Sequence, residues 1–560
     1  MSNIKIMACG GLGENGKNMY IVEVDNKIFV LDSGMKYPGI DLYGVDLVIP
    51  NIDYLLDNKD RIEGIFLSHG HEDNCGAIGY LLKNLPIRVY GSHFTISIVE
   101  SMLEKYGLDI SSYKLFRVNA NKIMKFGKVS VTFFNTTHSI PESMGISLST
   151  EDGSIVYCTD FNFGTQADGT YKTTFDKIAG LNKTKVLALM SESISSGLIN
   201  RINNDSFLER NYNDILKKKY KRIIVGAFST DLIRIQKIID LSVQSSKLIA
   251  ISSTQEHIIK VAMQSGYLKI PEKNFIDVSK MSLEEIQKLE NVVIFITGYR
   301  FEPYRSMVRM SQAYINHDED VFLQFLNTDK VILMCPPSSG TERYTAWAIN
   351  QMYYYDTNLT IFDKDILRSA HASPEDLKIL YSMVNPNYII PIKGEYHHLY
   401  QQCNVAKSAG YKDDQIIKLD NGEQITFIDG VLQEEHNIIP IKDVYIDGSS
   451  IGVVDDIVIE ERNRLAEEGI IFSYSIVNLR LRKITLPTTF KTRGFTSNFS
   501  DEQLTNTFSE LIDKLINNYL NKKAWDKNYL EQIISEELGK QILRFTKHRP
   551  VIVPIIIETN

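Results

Sequence analysis

Residues 65–73 read IFLSHGHED, and this short stretch decides the fold of the chain. Its first part is an apolar run typical of a buried strand, and a helical pattern begins directly after it. A loop that leaves the end of a strand can turn His69, His71 and Asp73 toward one point, and Gly70 permits the tight turn. Because imidazole and carboxylate groups are the ligands that zinc takes in proteins, the stretch predicts a metal site at a strand end.

Two later strand candidates are also followed by potential metal ligands. Residues 129–134 lead to His138, and residues 155–158 lead to Asp160. A single histidine or aspartate at a strand end is usually structural. Three such ends in one chain, in the order HxHxD, then His, then Asp, form a pattern that chance rarely produces. The predicted metal ligands are therefore His69, His71, Asp73, His138 and Asp160.

The composition is that of an ordinary globular protein, with 43% hydrophobic and 23% charged residues among 560. No apolar run approaches the roughly 18 residues that a membrane span needs, and the first residues carry no pattern of a secretion signal. The five cysteines are scattered and form no CxxC, which favours reduced thiols over a cysteine zinc site. The net charge of −8 argues against indiscriminate RNA binding. We expect a cytoplasmic protein that is not associated with a membrane.

Alternating strand and helix patterns divide the chain into α/β segments. Residues 1–205 form the first segment, residues 206–352 form a second one, and residues 353–432 return to the character of the first. Residues 433–450 are polar and are predicted to form a linker, and residues 451–560 are predicted to form a small α/β domain. This order indicates a layered domain that is interrupted by an insertion and followed by a smaller domain.

The motifs of the chain resemble those of the ribonuclease J family, in the β-CASP branch of the metallo-β-lactamase superfamily. That superfamily carries HxHxDH, then His, then Asp and then a final His at its strand ends. The resemblance rests on residues 10–25 (GGLGENGKNMYIVEVD), 31–38 (LDSGMKYP), 136–143 (TTHSIPES), 190–193 (MSES), 298–303 (GYRFEP), 369–378 (SAHASPEDLK) and 391–396 (PIKGEY). It covers nearly the whole chain, including the C-terminal domain.

The resemblance implies an α/β fold: a metallo-β-lactamase αββα sandwich with an inserted β-CASP α/β domain and a small C-terminal α/β domain. It implies a zinc-dependent RNA hydrolase, with manganese or magnesium as alternative ions. Such an enzyme acts as a 5′-to-3′ exonuclease and as an endonuclease in RNA maturation and decay, including ribosomal RNA processing. The C-terminal domain would carry oligomerisation, as a homodimer, a homotetramer or a hetero-oligomer with an active paralogue.

Two positions depart from the family pattern. Asn74 stands where the family has the histidine that follows HxHxD, and Lys393 stands where it has the final histidine before Gly-Glu. A second metal would keep only Asp73 and Asp160 as ligands. Since a carboxamide is a poor zinc ligand and an ammonium has no lone pair, we expect the second site to be weak or empty. Our hypothesis is that Lys393 supplies positive charge there, and the alternative is that it points to solvent.

The resemblance also implies roles beyond metal binding. Glu192 resembles an acidic residue that orients a metal-site histidine, and His371 resembles the β-CASP histidine that can donate a proton near the scissile phosphate. Ser369 lies in the same loop and could donate a hydrogen bond to phosphate. Thr230 and Asp231 lie in a loop that resembles the one holding the RNA 5′ phosphate, where the family usually has Ser-Asn. A carboxylate beside a phosphate is repulsive, so we expect weakened 5′-end sensing.

Two further runs each have two interpretations. Residues 217–222 (KKKYKR) are favoured as a solvated helix end over a patch on the RNA path. Residues 353–355 (YYY) are favoured as part of the core over a surface on which bases stack.

Three functions remain open at this point. The first is a ribonuclease J-type enzyme, and the second is a feeble RNA-binding subunit that pairs with an active paralogue. The third is a small-molecule metallo-hydrolase of the same fold. The insertion at residues 206–351 and the SAH and KGEY motifs speak against the third, because those enzymes lack a β-CASP domain. The first two share a fold and much of a site, and they differ only in catalytic activity.

Overall fold

A computed structural model describes residues 2–39, 41–164, 169–198, 205–253, 257–316, 321–337, 340–363, 367, 369–448, 450–452, 454–495, 500–521 and 525–559. The chain divides into two compact units. The larger unit comprises Met1–Tyr37 and Val48–Val444, and the smaller unit comprises Pro38–Leu47 and Tyr445–Asn560.

A nine-stranded sheet forms the first layer of the larger unit. Its strands run in the order Val431–Leu432, Glu423–Ile428, Asn3–Gly10, Met19–Val24, Lys27–Leu31, Ile62–Phe66, Val89–Gly91 and Leu115–Arg117, and Asn437–Ile438 pairs with Glu423–Ile428. Ile4 lies opposite Phe427 in an antiparallel pair. Residues from the returning segment therefore complete the sheet that the first residues begin.

A six-stranded sheet forms the second layer. Its strands run in the order Tyr388–Ile392, Val186–Glu192, Ser154–Cys158, Met144–Ser149, Val129–Asn135 and Ile123–Phe126. One core contains Ile6, Phe29 and Phe66 from the first sheet together with Ile146 and Met190 from the second. Because alternate side chains of a strand point to opposite faces, each sheet also has an outer apolar face.

Helices cover these outer faces. Phe94 shares a core with Ile65 of the first sheet, and Leu377 shares one with Leu189 of the second. The helices of these two layers are Asp53–Asp57, Glu72–Cys75, Ile78–Asn84, His93–Lys105, Phe175–Gly180, Pro374–Val384 and Tyr396–Ser408. The order of layers is helix, sheet, sheet and helix, which confirms the predicted αββα sandwich.

The insertion carries a parallel sheet of its own. Its strands run in the order Phe275–Ile276, Leu248–Ile251, Val292–Gly298, Arg222–Phe228, Lys330–Met334 and Leu359–Ile361. Its helices are Asp205–Leu216, Leu232–Gln244, His257–Gln264, Leu283–Gln287, Glu302–Asn316 and Glu342–Tyr354. Parallel strands need crossover connections, and the helices between them supply these. The predicted inserted α/β domain is confirmed. Its edge strand Leu359–Ile361 lies beyond residue 352, where the second segment was predicted to end.

The smaller unit combines helices with a three-stranded sheet. The sheet runs in the order Lys483–Arg493, Ile470–Asn478 and Val551–Thr559, and the helices are Asp456–Glu468, Asp501–Leu520 and Lys527–Thr546. Ile471 and Ile556 face a core that Phe508 and Leu538 of the two long helices share. This unit also contains residues 38–47, where Asp46 bonds to the backbone of residues 446 and 448.

Short elements complete the description. They are the strands Leu47–Ile49, Val444–Asp447 and Ser450–Ile451, and the 3-10 turns Lys59–Arg61, Ile110–Ser112, Gly169–Tyr171, Leu181–Lys183, Glu272–Asn274, Val278–Lys280 and Asp413–Gln415. Within the described ranges, no helix combines the length and the apolar character that a membrane crossing requires.

Candidate metal centre and proton donor

Four predicted ligands meet at one edge of the sandwich. They lie in loops that follow the strands Ile62–Phe66, Val129–Asn135 and Ser154–Cys158. Nε2 of His69 lies 3.2 Å from Nδ1 of His71 and 3.1 Å from Oδ2 of Asp160. Nε2 of His138 lies 3.1 Å from the same nitrogen of His71. The three strand ends therefore converge as the sequence predicted.

The three histidine nitrogens lie within 4.8 Å of one another, and Asp160 adds a carboxylate oxygen beside His69, a set of donors that suits one divalent ion. Zinc–nitrogen bonds are about 2.0–2.1 Å long, so the ligand atoms of a tetrahedral site lie about 3.3–3.4 Å apart. The observed separations of 3.1–3.2 Å are close to that value. Burial and the neighbouring His69 lower the pKa of His71 to about 3, and burial and His71 lower the pKa of His138 well below its usual value. Both rings are thus neutral near pH 7 and keep a lone pair for a metal.

Backbone carbonyl groups orient two of these rings. Nε2 of His71 lies 3.2 Å from the carbonyl oxygen of Thr230, and Nδ1 of His138 lies 3.0 Å from that of Ala370. Each carbonyl can accept only from a protonated nitrogen, so the opposite nitrogen of each ring is left bare and faces the candidate metal position. Such outer hydrogen bonds fix the tautomer of metal-binding histidines. Thr230 therefore contacts the site through its backbone carbonyl group.

Asp32 is a buried residue of the site that the sequence analysis missed. Its carboxylate accepts from Ser68 N at 2.7 Å and from Ser68 Oγ at 2.8 Å, and Ser68 Oγ lies 2.9 Å from Nδ1 of His69. It also accepts from Asn74 Nδ2 and from the hydroxyl of Tyr157, both at 2.6 Å. An acidic residue directly after a buried strand, within LDSG, was the signal that could have identified it.

The ammonium of Lys393 lies among the side chains predicted for a second metal position. Its Nζ is 2.7 Å from Oδ2 of Asp73 and 3.0 Å from Oδ1 of Asn74, and it also binds Oδ2 of Asp160. The same Asp160 oxygen faces His69, so it lies between the two positions. Only 1% of Lys393 is exposed, and the alternative that it points to solvent is wrong.

Electrostatic attraction keeps Lys393 and its carboxylate partners ionised at this second position. Burial opposes the charge on Lys393, but the carboxylates of Asp160 and Asp73 outweigh burial and raise its pKa. Burial likewise favours a neutral Asp160, yet the ammonium holds the pKa of that carboxyl well below its usual range. Asn74 completes the arrangement, because its amide nitrogen donates to Asp32 while its oxygen accepts from Lys393. Side chains of the chain itself therefore fill this position.

Glu192 and His371 form a second polar group beside the metal centre. Nδ1 of His371 lies 2.6 Å from Oε2 of Glu192 and 3.0 Å from Oδ1 of Asp160. The other oxygen of Glu192 accepts from the backbone N–H groups of Phe161 and Ala372. The spacing of Asp160, Glu192 and His371 could suit an ion, but both Glu192 oxygens are already engaged. Glu192 therefore contacts His371 rather than His69, His71 or His138, and its orienting role stays a prediction.

His371 is held in its charged form. Burial opposes protonation, but the Glu192 carboxylate, helped by Asp160, outweighs it and raises the pKa of the imidazole to about 10. The loop ends at once in the helix Pro374–Val384, where Ser373 and Asp376 cap each other. A Ser-Pro start with an acidic third residue is a strong helix signal, so the local sequence fixes the place of His371.

The predicted RNA-contacting residues are engaged within the protein. Oγ of Ser369 lies 2.8 Å from Oγ of Ser195 and accepts from the backbone N–H two residues on. Asp231 is 6% exposed and forms an ion pair with Arg234. That guanidinium offsets the carboxylate charge, so the repulsion toward a phosphate is weaker than the sequence alone suggests. The roles of Ser369, Thr230 and Asp231 toward RNA stay predictions.

The basic run at residues 217–222 lies away from the candidate site. It precedes the strand Arg222–Phe228, whose far end leads to Thr230. Seven residues of strand span roughly 20 Å. Lys217 and Lys221 are exposed and pair with nearby carboxylates. These contacts support the interpretation as a solvated helix end for the lysines, whereas Arg222, the last residue of the run, is buried against Asp329.

The tyrosine run does not lie in the core as expected. Tyr353 is 54% exposed and Tyr354 is 80% exposed. The core-facing residues of the helix Glu342–Tyr354 are Thr345, Ala348 and Met352, at helical spacing of three and four residues. The run follows that stripe, which explains its exposure.

Comparisons with known families follow the order of the chain. Residues 12–191 match the metallo-beta-lactamase superfamily, and residues 220–352 match the ribonuclease J beta-CASP domain. Residues 364–414 match the Zn-dependent metallo-hydrolase RNA specificity domain, and residues 457–559 match the ribonuclease J C-terminal domain.

Two curated relatives match from end to end. Ribonuclease J 2 of Streptococcus pyogenes is 32% identical over 565 residues, which cover 100% of both chains. Ribonuclease J 2 of Staphylococcus aureus is 31% identical over 559 residues, which cover 99% of this chain and 98% of that one. A solved protein of unknown function from Enterococcus faecalis V583 shares the fold with a TM-score of 0.52 at 14% identity, over 76% of this chain and 100% of that chain. The chain therefore belongs to the ribonuclease J family, as its motifs predicted.

Proposed function

We propose that the chain is a ribonuclease J-type RNA hydrolase of low intrinsic activity, with one zinc position and a lysine in place of the second ion. The observation that carries this proposal is the contact of Lys393 Nζ with Asp73, Asn74 and Asp160. Family membership supports RNA as the substrate and a divalent metal as the cofactor.

The first position has the ligands that a resident ion needs. His69, His71, His138 and Asp160 would hold it, and zinc suits three imidazoles with one carboxylate. Such an ion supplies Lewis acidity to the reacting phosphate and its nucleophile. Lys393 adds one fixed positive charge beside Asp160 but cannot coordinate an oxygen. Transition-state charge is therefore stabilised less than by a pair of ions, which is the reason to expect slow hydrolysis.

His371 is the proposed proton donor. With its pKa raised to about 10 by Glu192 against the effect of burial, its ring is an imidazolium near pH 7. Its Nδ1 is held by two carboxylates, so the proton on Nε2 is the one available to the leaving ribose 3′-oxygen. Glu192 contributes by fixing the position and the charge of this ring.

Degradation of 5′-monophosphorylated RNA tests the proposal. The purified chain and its His71→Ala variant are compared with manganese or zinc present. We expect slow degradation by the natural chain and none by the variant, because His71 is central to the ligand set. His257→Ala is a matched control, since His257 is a half-buried histidine that bonds Ser101 away from the ligand set.

Equal degradation by the natural chain and by His71→Ala would contradict the proposal that the chain is an enzyme. That outcome favours the second candidate, which is an RNA-binding subunit that pairs with an active paralogue. RNA binding without metal-dependent turnover would support the same candidate.

An exposed sheet face in the smaller unit supports a role in assembly for either candidate. Tyr474 lies beside Ile555, and Ile476 lies between Ile557 and Leu486, on the face opposite the buried Ser475. Leu486, Ile555 and Ile557 are 57%, 39% and 46% exposed. A contiguous exposed apolar face of this kind marks an interaction site. The partner is a second copy of this chain, in a homodimer or homotetramer, or an active paralogue.

Sedimentation of a surface variant tests this assembly. Ile557→Asp should shift the natural chain, alone or with a paralogue, toward smaller species, because a charge would be buried at the interface. Ile438→Asp is the control, since Ile438 is an exposed isoleucine of the larger unit. Unchanged sedimentation of Ile557→Asp contradicts this assignment of the interface.

We also propose that the protein works in the cytoplasm. All five cysteines are free thiols, and four of them are buried. Free buried thiols are typical of proteins in reducing compartments.

A further inference from the structure

A series of aromatic and arginine side chains leads away from the metal centre. It starts at Glu72, within the HGHED stretch, whose Oε2 accepts a 2.7 Å hydrogen bond from the hydroxyl of Tyr37. The guanidinium carbon of Arg300 lies 4.6 Å from the centre of the Tyr37 ring and 5.4 Å from that of Phe301. Tyr37 therefore ties the series directly to the loop that carries the metal ligands.

The series continues onto the helix Glu342–Tyr354 of the inserted domain. The ring centres of Phe301 and Tyr344 are 5.5 Å apart, and those of Tyr344 and Trp347 are 5.3 Å apart. Arg305 lies 5.5 Å from the centre of the Phe301 ring. We call these side chains the stacking track, and its members are Tyr37, Arg300, Phe301, Arg305, Tyr344 and Trp347.

The track faces solvent along its length. Tyr37, Arg300, Phe301 and Tyr344 are half-buried, and Trp347 is 44% exposed. A cluster that served only the core would bury its largest ring. Here the largest ring, the Trp347 indole, is exposed, and it lies at the end of the series farthest from Glu72. Arg300 has φ 45°, in the left-handed region that non-glycine residues rarely adopt. This turn directs the guanidinium between two rings of the track.

The chemistry of the track is that of a surface for single-stranded nucleic acid. Bases stack on exposed aromatic rings without regard to sequence, and arginine adds cation–π contacts and attraction to phosphate. Arg300 lies over the rings of Tyr37 and Phe301, Arg305 lies over that of Phe301, and a candidate site for phosphodiester hydrolysis lies at one end of the track. These two features favour RNA over an apolar peptide, which would gain little from the arginines.

We propose that the stacking track binds the bases of single-stranded RNA adjoining the phosphate at the metal centre. The inference rests on the proposed function, because it requires RNA at the site formed by His69 and His71. The track holds the strand through base stacking, so it tolerates any sequence and rejects duplex RNA, whose bases are already stacked on each other.

Trp347 provides a direct probe of this contact. The chain has two tryptophans, and the other one, Trp525, lies in the smaller unit. In a Trp525→Phe chain with EDTA present to prevent hydrolysis, a short uridine RNA should quench the emission of Trp347 saturably. Duplex RNA and inorganic polyphosphate of equal charge should not quench it, because they offer no free base. If Trp525→Phe fails to fold, the difference in emission between the natural chain and Trp347→Phe gives the same signal.

Affinity gives an independent measurement. Trp347→Ala should weaken binding of a labelled single-stranded RNA roughly 5- to 100-fold, as expected for the loss of one stacked base. Tyr529→Ala is the control, since Tyr529 is an exposed ring of the smaller unit outside the track, and it should leave affinity unchanged. RNA that binds without quenching Trp347 and equally well to Trp347→Ala overturns the track and leaves the proposed function standing. A chain that binds no RNA in either assay overturns both.

Discussion

Nζ of Lys393 lies 2.7 Å from Oδ2 of Asp73, in a position from which solvent is excluded. The ammonium also contacts Asp160, the carboxylate that faces His69 of the first metal position. A fixed monovalent cation thus stands at the position that the sequence motifs predicted for a second metal. The pair keeps the acidic residues of the motif ionised, but it offers no coordination site for a substrate oxygen.

Metal counting on the purified chain should give one tightly bound ion. Asn74→His combined with Lys393→His should raise the count to two, because both substitutions supply lone pairs to the second position. Turnover of RNA should rise roughly tenfold or more, since Lewis-acid stabilisation is worth several kcal/mol. Two tightly bound ions in the natural chain would contradict the interpretation, and an unchanged rate with two ions bound would place the deficit elsewhere.

Removal of the ammonium should destabilise the protein. Lys393→Met leaves the buried Asp160 and the partly exposed Asp73 without the ammonium, and breaking a buried pair such as Lys393–Asp160 costs about 3–5 kcal/mol. Urea unfolding in EDTA measures the loss, and added manganese should restore part of it by binding the folded form. Lys407→Met on the exposed ion pair with Asp413 is the control and should change little. Equal stability of Lys393→Met and the natural chain would rule out the pairing.

Ser68 should be needed for tight metal binding. Its hydroxyl links Asp32 to Nδ1 of His69, and the loss of such an outer contact typically lowers metal affinity about 10- to 100-fold. Competition with a chelator measures the affinity of Ser68→Ala. Ser97→Ala removes only an exposed hydroxyl bonded to a helix carbonyl and should bind metal as the natural chain does. The same affinity in Ser68→Ala would mean that the backbone alone orients His69.

Glu192→Gln should lower kcat with little change in KM or in metal content. The substitution removes the charge that keeps His371 protonated, and general acid catalysis contributes about 10²- to 10⁴-fold, so a loss of up to roughly 10²-fold is expected. Glu290→Gln, on an exposed ion pair, is the control. A variant that loses its metal would show instead that Glu192 is a ligand.

Arg222 should be essential to the stability of the inserted domain. Its guanidinium is buried against Asp329, with Nε 2.8 Å from Oδ1, and also binds Gln287 and the carbonyl of Gln324. Arg222→Met leaves Asp329 unpaired and should lower the free energy of unfolding by about 3–5 kcal/mol. Arg222→Met with Asp329→Leu should recover much of the loss, as measured by urea unfolding. A double variant no more stable than the single one would contradict this account.

Much of the fold and of the first metal position could be predicted because their signals are local. The apolar run before His69, the motif spacing, and the strands that lead to His138 and Asp160 each lie within a few residues in the sequence. Strand periodicity and ligand chemistry act at that range. Asp32 was not predicted as a site residue, because one acidic residue after a strand has no spacing pattern around it.

The identity of residues 74 and 393 was also visible in the sequence, and with it the expectation of a weak or empty second metal site. What the ammonium contacts was decided only by the tertiary structure. Lys393 is 319 residues from Asn74 and 233 residues from Asp160 along the chain, and the two sheets must pack before the three meet. A lysine at a loop is ordinarily solvated, because its charge is stable in water and its side chain is long enough to reach it. Here the carboxylates of Asp160 and Asp73 outweigh the effect of burial on the Lys393 ammonium. That balance depends on distances between charges that only the folded chain sets.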